Sequence, residues 1–370
     1  MKIDLLMELE RPKPWHGRTD QDTYWEALEQ VVLADRMGFG AVWAVEHHFL
    51  EEFSHSSAPE VFLAACAART ERIRIGHGVV LLPHKFNHPV RVAERVAALD
   101  VLSNGRVEFG TGRSGPYEQA GFEVPTAESR AMWQESLEII PRMWTSERFS
   151  YDGTYVKIPE RAILPKPVQR PHPPIWMACT SRASWELAGQ NGIGVLGLTL
   201  FVGIDTLREE IAGYRRALAH AKPVGAFVND RTAAYTIVHC AATSARARAN
   251  GGPEAALWYL VYAFQVLAQQ VAPERHLAAI ASDDPYRQVA IENPIVRRAM
   301  DGTLGFEELD GEDMVVIGDP DTCIRKLERY REAGLDRVLC CMQAGRLAHA
   351  DVMESIRLFG EHVIPHFARG

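Results

Sequence analysis

The 370-residue sequence predicts a single TIM-like (β/α)8 barrel with insertions. Two observations carry this prediction. Short β-branched runs alternate with longer amphipathic stretches about eight times, and such alternation means parallel strands joined by right-handed crossovers. The chemically unusual residues fall just after the strands, where a barrel of this kind builds its active site. A doubly wound open sheet is the alternative.

Strand runs lie at residues 3–7, 41–45, 73–82, 107–109, 175–178, 194–200, 234–240 and 337–342. Helical patterns lie between and after them, at 23–37, 59–70, 89–102, 127–144, 182–190, 204–220, 255–270, 323–333 and 351–362. Met37-Gly38, Asn191-Gly192 and Ala333-Gly334 each place a glycine after a helical run, where a left-handed C-cap is wanted. Two segments break the rhythm. Residues 149–174 hold the hairpin signal Tyr151-Asp152-Gly153-Thr154-Tyr155, followed by a proline-rich stretch that suits a loop over the barrel mouth. Residues 244–312 are mostly helical in pattern, with a polar stretch at Ser282-Asp283-Asp284-Pro285. Both read as elaborations of one domain spanning 1–370.

Hydrophobic residues make up 47% and charged residues 24%, ample for a buried core, and the net charge is −8. No basic tract stands out, which argues against nucleic acid as a partner. No apolar run is long enough to span a bilayer, and the first residues lack the build of a signal peptide. The six cysteines show no CxxC spacing. Cys179, Cys240, Cys340 and Cys341 lie in apolar runs, as buried thiols do. A cytoplasmic location without disulfides is expected.

The polar residues at the strand ends then need an account. After the second strand, Val42-Trp43-Ala44-Val45 gives way to Glu46-His47-His48. The strand is apolar because it packs inside the barrel, and its end is polar because it faces the mouth. Six histidines lie between 47 and 88, but no HExxH or HxH ligand spacing accompanies them, so no metal is expected. Gly110-Thr111-Gly112-Arg113-Ser114-Gly115 matches GxGxxG in letters only. It follows the fourth strand, and the next helical pattern begins only near residue 126, so it is not a dinucleotide fingerprint. Its glycines let backbone amides approach a ligand, and Arg113 points to an anion such as phosphate. Thr180-Ser181-Arg182-Ala183-Ser184 sits where a strand turns into a helix. It is either a plain N-cap or an anion site. Arg130 is either a surface ion-pair residue or a second guanidinium for the same anion. Convergence of Arg113, Arg130, Ser181 and Ser184 would make one phosphate pocket. Trp43, Phe49, Phe53, Phe86 and Phe201 are core residues or the lining of an apolar pocket.

The runs VWAVEHHF, TERIRIGHGVVLLPHKFNHPVRVAERVAALDVLSNGRVEFGTGRSG and AESRAMWQESLEII resemble the bacterial luciferase-like (LLM class) flavin-dependent monooxygenases. So does the tail GDPDTCIRKLERYREAGLDRVL, and the likeness is weakest over 200–312. The resemblance implies a two-component enzyme. Reduced FMN from a separate NAD(P)H:flavin reductase would react with O2 to a C4a-(hydro)peroxide, which oxygenates a small organic substrate. It implies His47 as the catalytic residue. The implied cofactor contacts are Glu46, Gly78, Val79, Arg113, Arg130, Thr180, Ser181 and Ser184, with a cis peptide at Gly78-Val79 under the flavin ring. It also implies a homodimer, for which the Val61-Phe62-Ala65 face is suitable. Gly112 stands where luciferase α subunits carry a reactive cysteine, which argues against light emission. Thr180 replaces a glutamate. The competing readings are a deazaflavin-dependent oxidoreductase of the same fold, and a non-catalytic flavin-binding partner subunit.

Overall fold

The computed structural model describes residues 1–200, 202–269 and 294–368. Phe201 and the 282–285 stretch therefore lie outside the described residues. Eight parallel strands close into a barrel among the described residues. They are β1 (Lys2–Met7), β2 (Ala41–Ala44), β3 (Arg74–His77), β5 (Val107–Gly112), β8 (Ile175–Ala178), β9 (Gly194–Leu198), β10 (Thr232–Cys240) and β12 (Arg337–Cys341). The barrel closes where β12 pairs with β1 on one side and β10 on the other. A short β4 (Val80–Leu81) continues β3 along β5 after a break at Gly78 and Val79, whose connecting peptide is cis. β11 (Val316–Gly318), absent from the sequence prediction, pairs parallel with the end of β10.

The helices follow the predicted rhythm, from α1 (Asp20–Met37) through α2 (Pro59–Arg69) and α3 (Pro89–Leu102) to α4 (Pro116–Gly121) and α5 (Ser129–Thr145). α6 (Arg182–Gln190), α7 (Ile204–Leu218), α8 (Ser244–Ala249) and α9 (Gly252–Gln269) follow. The three predicted C-cap glycines are left-handed, with φ of 86° at Gly38, 65° at Gly192 and 100° at Gly334. α4 corrects the expectation that no helix follows the fourth-strand loop before residue 126. Pro116 at its first position fits a helix start, because its missing N–H is not needed there. Residues 149–174 begin with the predicted hairpin, β6 (Phe149–Asp152) against β7 (Lys157–Arg161). Its tip is tied to α5, since the backbone amides of Thr154, Tyr155 and Val156 all donate to the Glu135 carboxylate.

The barrel is plugged at its lower end by charge as well as by rings. Asp4 is fully buried and accepts from Arg337 Nε at 2.7 Å, Arg337 Nη2 at 3.0 Å and Trp43 Nε1 at 3.0 Å. Glu108 accepts from Trp176 Nε1 at 2.7 Å and from Arg74. The Trp43 and Trp176 rings meet edge to face with centroids 5.5 Å apart. Trp43 therefore belongs to the core and not to a ligand pocket. All six cysteines are buried free thiols. On the expected dimer face Val61 is exposed, whereas Phe62 packs in the core. No described helix is long and apolar enough to cross a membrane.

Candidate active site

The site is built where β1, β2, β3, β5 and β8 end. The chain leaves β2 through Val45 and Glu46, and both are buried. Glu46 anchors its surroundings. Its carboxylate accepts from the Leu81 amide at 2.8 Å and from Asn87 Nδ2 at 2.8 Å, so it holds the end of β4 in place. His48 Nε2 donates to the same carboxylate at 3.3 Å, and its ring lies against Phe86 and Phe122. His47 is different. It is 30% exposed at the side chain and lines a cavity of about 440 Å3 with Tyr24, Phe49 and Leu50.

The partner of His47 is Glu118 on α4, a residue the sequence reading missed. His47 Nδ1 donates to Glu118 Oε1 at 3.2 Å. The same carboxylate accepts from the His48 amide at 2.6 Å and from the Ser114 hydroxyl. Burial alone would lower the His47 pKa, but the charge and hydrogen bond of Glu118, with Glu8 and Glu46 behind it, push it up to about 9. In Glu118, burial is offset by His47, Ser114 and the His48 amide, and its pKa is lowered. With Nδ1 committed to Glu118, Nε2 is the nitrogen left to give or take a proton at the mouth.

Backbone geometry marks the same place. Leu9, Phe49 and Ser114, just beyond β1, β2 and β5, have φ of +56°, +64° and +59°. A bulky residue there costs about 1–3 kcal/mol, and such conformations gather at functional sites. Gly112 is demanded by contact. A Cβ at that position would lie 2.5 Å from Val79 Cγ2, so a cysteine there would displace Val79.

The expected anion residues emerge from neighbouring strands. Thr111 of β5 is level with Met177 of β8, so the Arg113 loop and the Thr180–Ser184 turn leave the barrel side by side. Gln119 fastens the loop by donating to the carbonyls of Arg113 and Ser114, both at 3.0 Å. Arg113 Nη1 donates to Ser129 Oγ at 2.9 Å, and Arg130 follows at the exposed start of α5. Ser181 caps α6 in a reciprocal box with Ser184, and both hydroxyls are largely used there. What α6 offers an anion is thus its N-terminal amides, with Thr180 exposed in front. Gly78 and Val79 are partly exposed at the floor of the mouth.

A family profile described as luciferase-like monooxygenase matches residues 7–337, and the chain belongs to that family. Among curated relatives, the flavin-dependent trigonelline monooxygenase oxygenase component of Acinetobacter baylyi is 31% identical over 58% of this chain. That match spans 58% of the relative's own length. The F420-dependent glucose-6-phosphate dehydrogenase of Microbacterium testaceum is 26% identical over 93% of this chain and 94% of its own. The solved monooxygenase RslO1 of Streptomyces bottropensis superposes with a TM-score of 0.77 at 28% identity, covering 99% of this chain and all of the other.

Proposed function

We propose that the chain is the oxygenase component of a two-component flavin-dependent monooxygenase. It uses reduced FMN from a separate NAD(P)H:flavin reductase, with O2, to oxygenate a small organic substrate. The observation that carries this reading is the His47–Glu118 hydrogen bond at the same barrel mouth as the Arg113 loop and the α6 N-terminus, which we read as an anion seat. The donor set fits FMN: Arg113, Arg130 and the α6 amides suit a phosphate dianion. The glycine at 112 keeps Val79 close, as a flat ring on the Gly78–Val79 floor needs. When bound, reduced FMN supplies the electrons that activate O2. His47 Nε2 holds a proton beside the reacting centre, and Glu118 keeps the imidazole charged and oriented. Glu46 acts one step back, by fixing β4. The protein is read as a cytoplasmic homodimer organised as one domain.

The test is stopped-flow absorbance, mixing the chain anaerobically with reduced FMN and then with oxygenated buffer. The expected result is a transient flavin absorbance, distinct from the reduced and oxidised forms, that outlasts the reaction of free flavin. Direct return to oxidised flavin at the free rate would overturn the reading. It would favour hydride transfer with a deazaflavin, the cofactor named for the Microbacterium testaceum relative. The phosphate seat has its own check. Arg113→Ala is expected to weaken reduced FMN by about tenfold or more while sparing reduced riboflavin, because a charge-assisted hydrogen bond to phosphate contributes roughly 1.5–3 kcal/mol. Equal losses in equilibrium titration would remove Arg113 from that seat.

A further inference from the structure

The side of the mouth formed by β1 and β12 carries polar groups whose hydrogen-bonding capacity the His47–Glu118 pair leaves unfilled. Glu8, Glu10 and Gln343 are 3%, 2% and 7% exposed. Four of their side-chain atoms have no hydrogen-bond partner among the described residues: Glu8 Oε2, Glu10 Oε1, and both Oε1 and Nε2 of Gln343. The register that sets Leu6 against Cys341 brings Glu8 beside Gln343 two residues further on, facing the barrel interior with Asp4 and Arg337 below. The remaining oxygens are fixed. Tyr259 donates to Glu8 Oε1 at 2.9 Å, and the Gly345 amide donates to Glu10 Oε2. Burial raises the pKa of both carboxyls, and at Glu8 it outweighs the opposing charge of His47 and the hydrogen bond from Tyr259.

Aromatic rings stand against the same groups. Tyr259 lies 5.0 Å from Phe53 and 6.3 Å from Tyr235, centroid to centroid, and Phe53 lies 6.0 Å from His47. The charge balance is one-sided. Glu8, Glu46 and Glu118 share one imidazolium, His47, and Glu10 adds a further carboxyl beside Glu8. Arg11, next along the chain, is committed to Asp20 at 3.3 Å and to the Arg18 carbonyl.

We propose that Glu8, Glu10 and Gln343, with the ring faces of Phe53, Tyr235 and Tyr259, form a substrate subsite for a positively charged nitrogen, a quaternary or protonated amine. Carboxylates supply the counter-charge and aromatic faces the cation–π attraction, the pairing by which proteins hold ammonium groups. The unpartnered Gln343 carboxamide accepts from an N–H or donates to a polar group beside the cation. The subsite rests on the oxygenase reading in taking this wall as the substrate side, across the mouth from the anion seat.

The test is calorimetric titration of the full chain with choline and with 3,3-dimethylbutan-1-ol, which has the same shape without the charge. Choline is expected to bind at least about tenfold more tightly. Glu8→Gln should remove most of that preference and leave oxidised FMN binding unchanged. Gln343→Leu, which adds no charge and removes only unpartnered atoms, should weaken choline several-fold and serves if Glu8→Gln fails to fold. Equal affinities for the two probes, binding of neither, or a preference that survives both substitutions would overturn the subsite. Failure of the flavin reading shows separately, as direct return of reduced FMN to oxidised flavin at the free rate in the stopped-flow test of the unaltered chain.

Discussion

Arg337→Ala is expected to destabilise the protein by about 3–5 kcal/mol, because it strips a fully buried Asp4 of its counter-charge. The loss should appear as a lower denaturant midpoint with an unchanged slope. Trp43 Nε1 still donates to Asp4, but one neutral donor does not compensate an ion in a dry interior. The double variant Asp4→Leu with Arg337→Met should recover most of the stability, since apolar groups of similar volume often replace a buried ion pair at little cost. A single variant within about 0.5 kcal/mol of the parent, the range of ordinary surface changes, would show that the pair does not hold the barrel.

His47→Ala is expected to lower substrate oxygenation by about 10²- to 10⁴-fold, the span of general acid–base catalysis, with FMN affinity changed by no more than a few-fold. Unchanged turnover would remove His47 from the chemistry. Glu118→Gln is the companion. It keeps an acceptor for Nδ1–H but removes the charge, so the His47 pKa should fall from about 9 toward its ordinary value. The imidazole C–H resonance, followed by NMR, reads this directly. The rate should follow. In the parent it declines as pH rises through about 9, and in Glu118→Gln the decline moves toward neutrality. Stability has the same sign. The folded pKa of His47 lies above the unfolded value of about 6.5, so its contribution is complete below that pH. It is lost as pH rises through about 9.

The barrel was legible because its strands are buried on both faces and read as continuous apolar runs between amphipathic helices. What escaped did so for local reasons. β11 is three residues long and runs straight into the Asp319 cap of the next helix, so it reads as a loop. α4 is one short helix of six residues between glycines, below the length at which periodicity shows. Glu118 on that helix is unremarkable in sequence, and its meaning arises only from meeting His48 some 70 positions away. Glu8 and Glu10 are a different case. They follow the apolar β1 as Glu46 and His47 follow β2, and the same strand-end rule applied to Met7-Glu8-Leu9-Glu10 would have found them. The anion seat was legible as residue types. That the Ser181 and Ser184 hydroxyls serve mainly each other is visible only in the folded turn.

The Asp4–Arg337 pair joins positions 333 residues apart, and this bears on how the chain is made. At about 5–20 residues per second, roughly 15–70 s separate the emergence of the two partners from the ribosome. Throughout that interval the first strand has its aspartate and an open edge but neither its guanidinium nor its twelfth-strand neighbour. Barrel closure therefore waits for β12 to emerge, and chains truncated before residue 337 are expected to remain open sheets with a hydrophobic edge exposed to self-association.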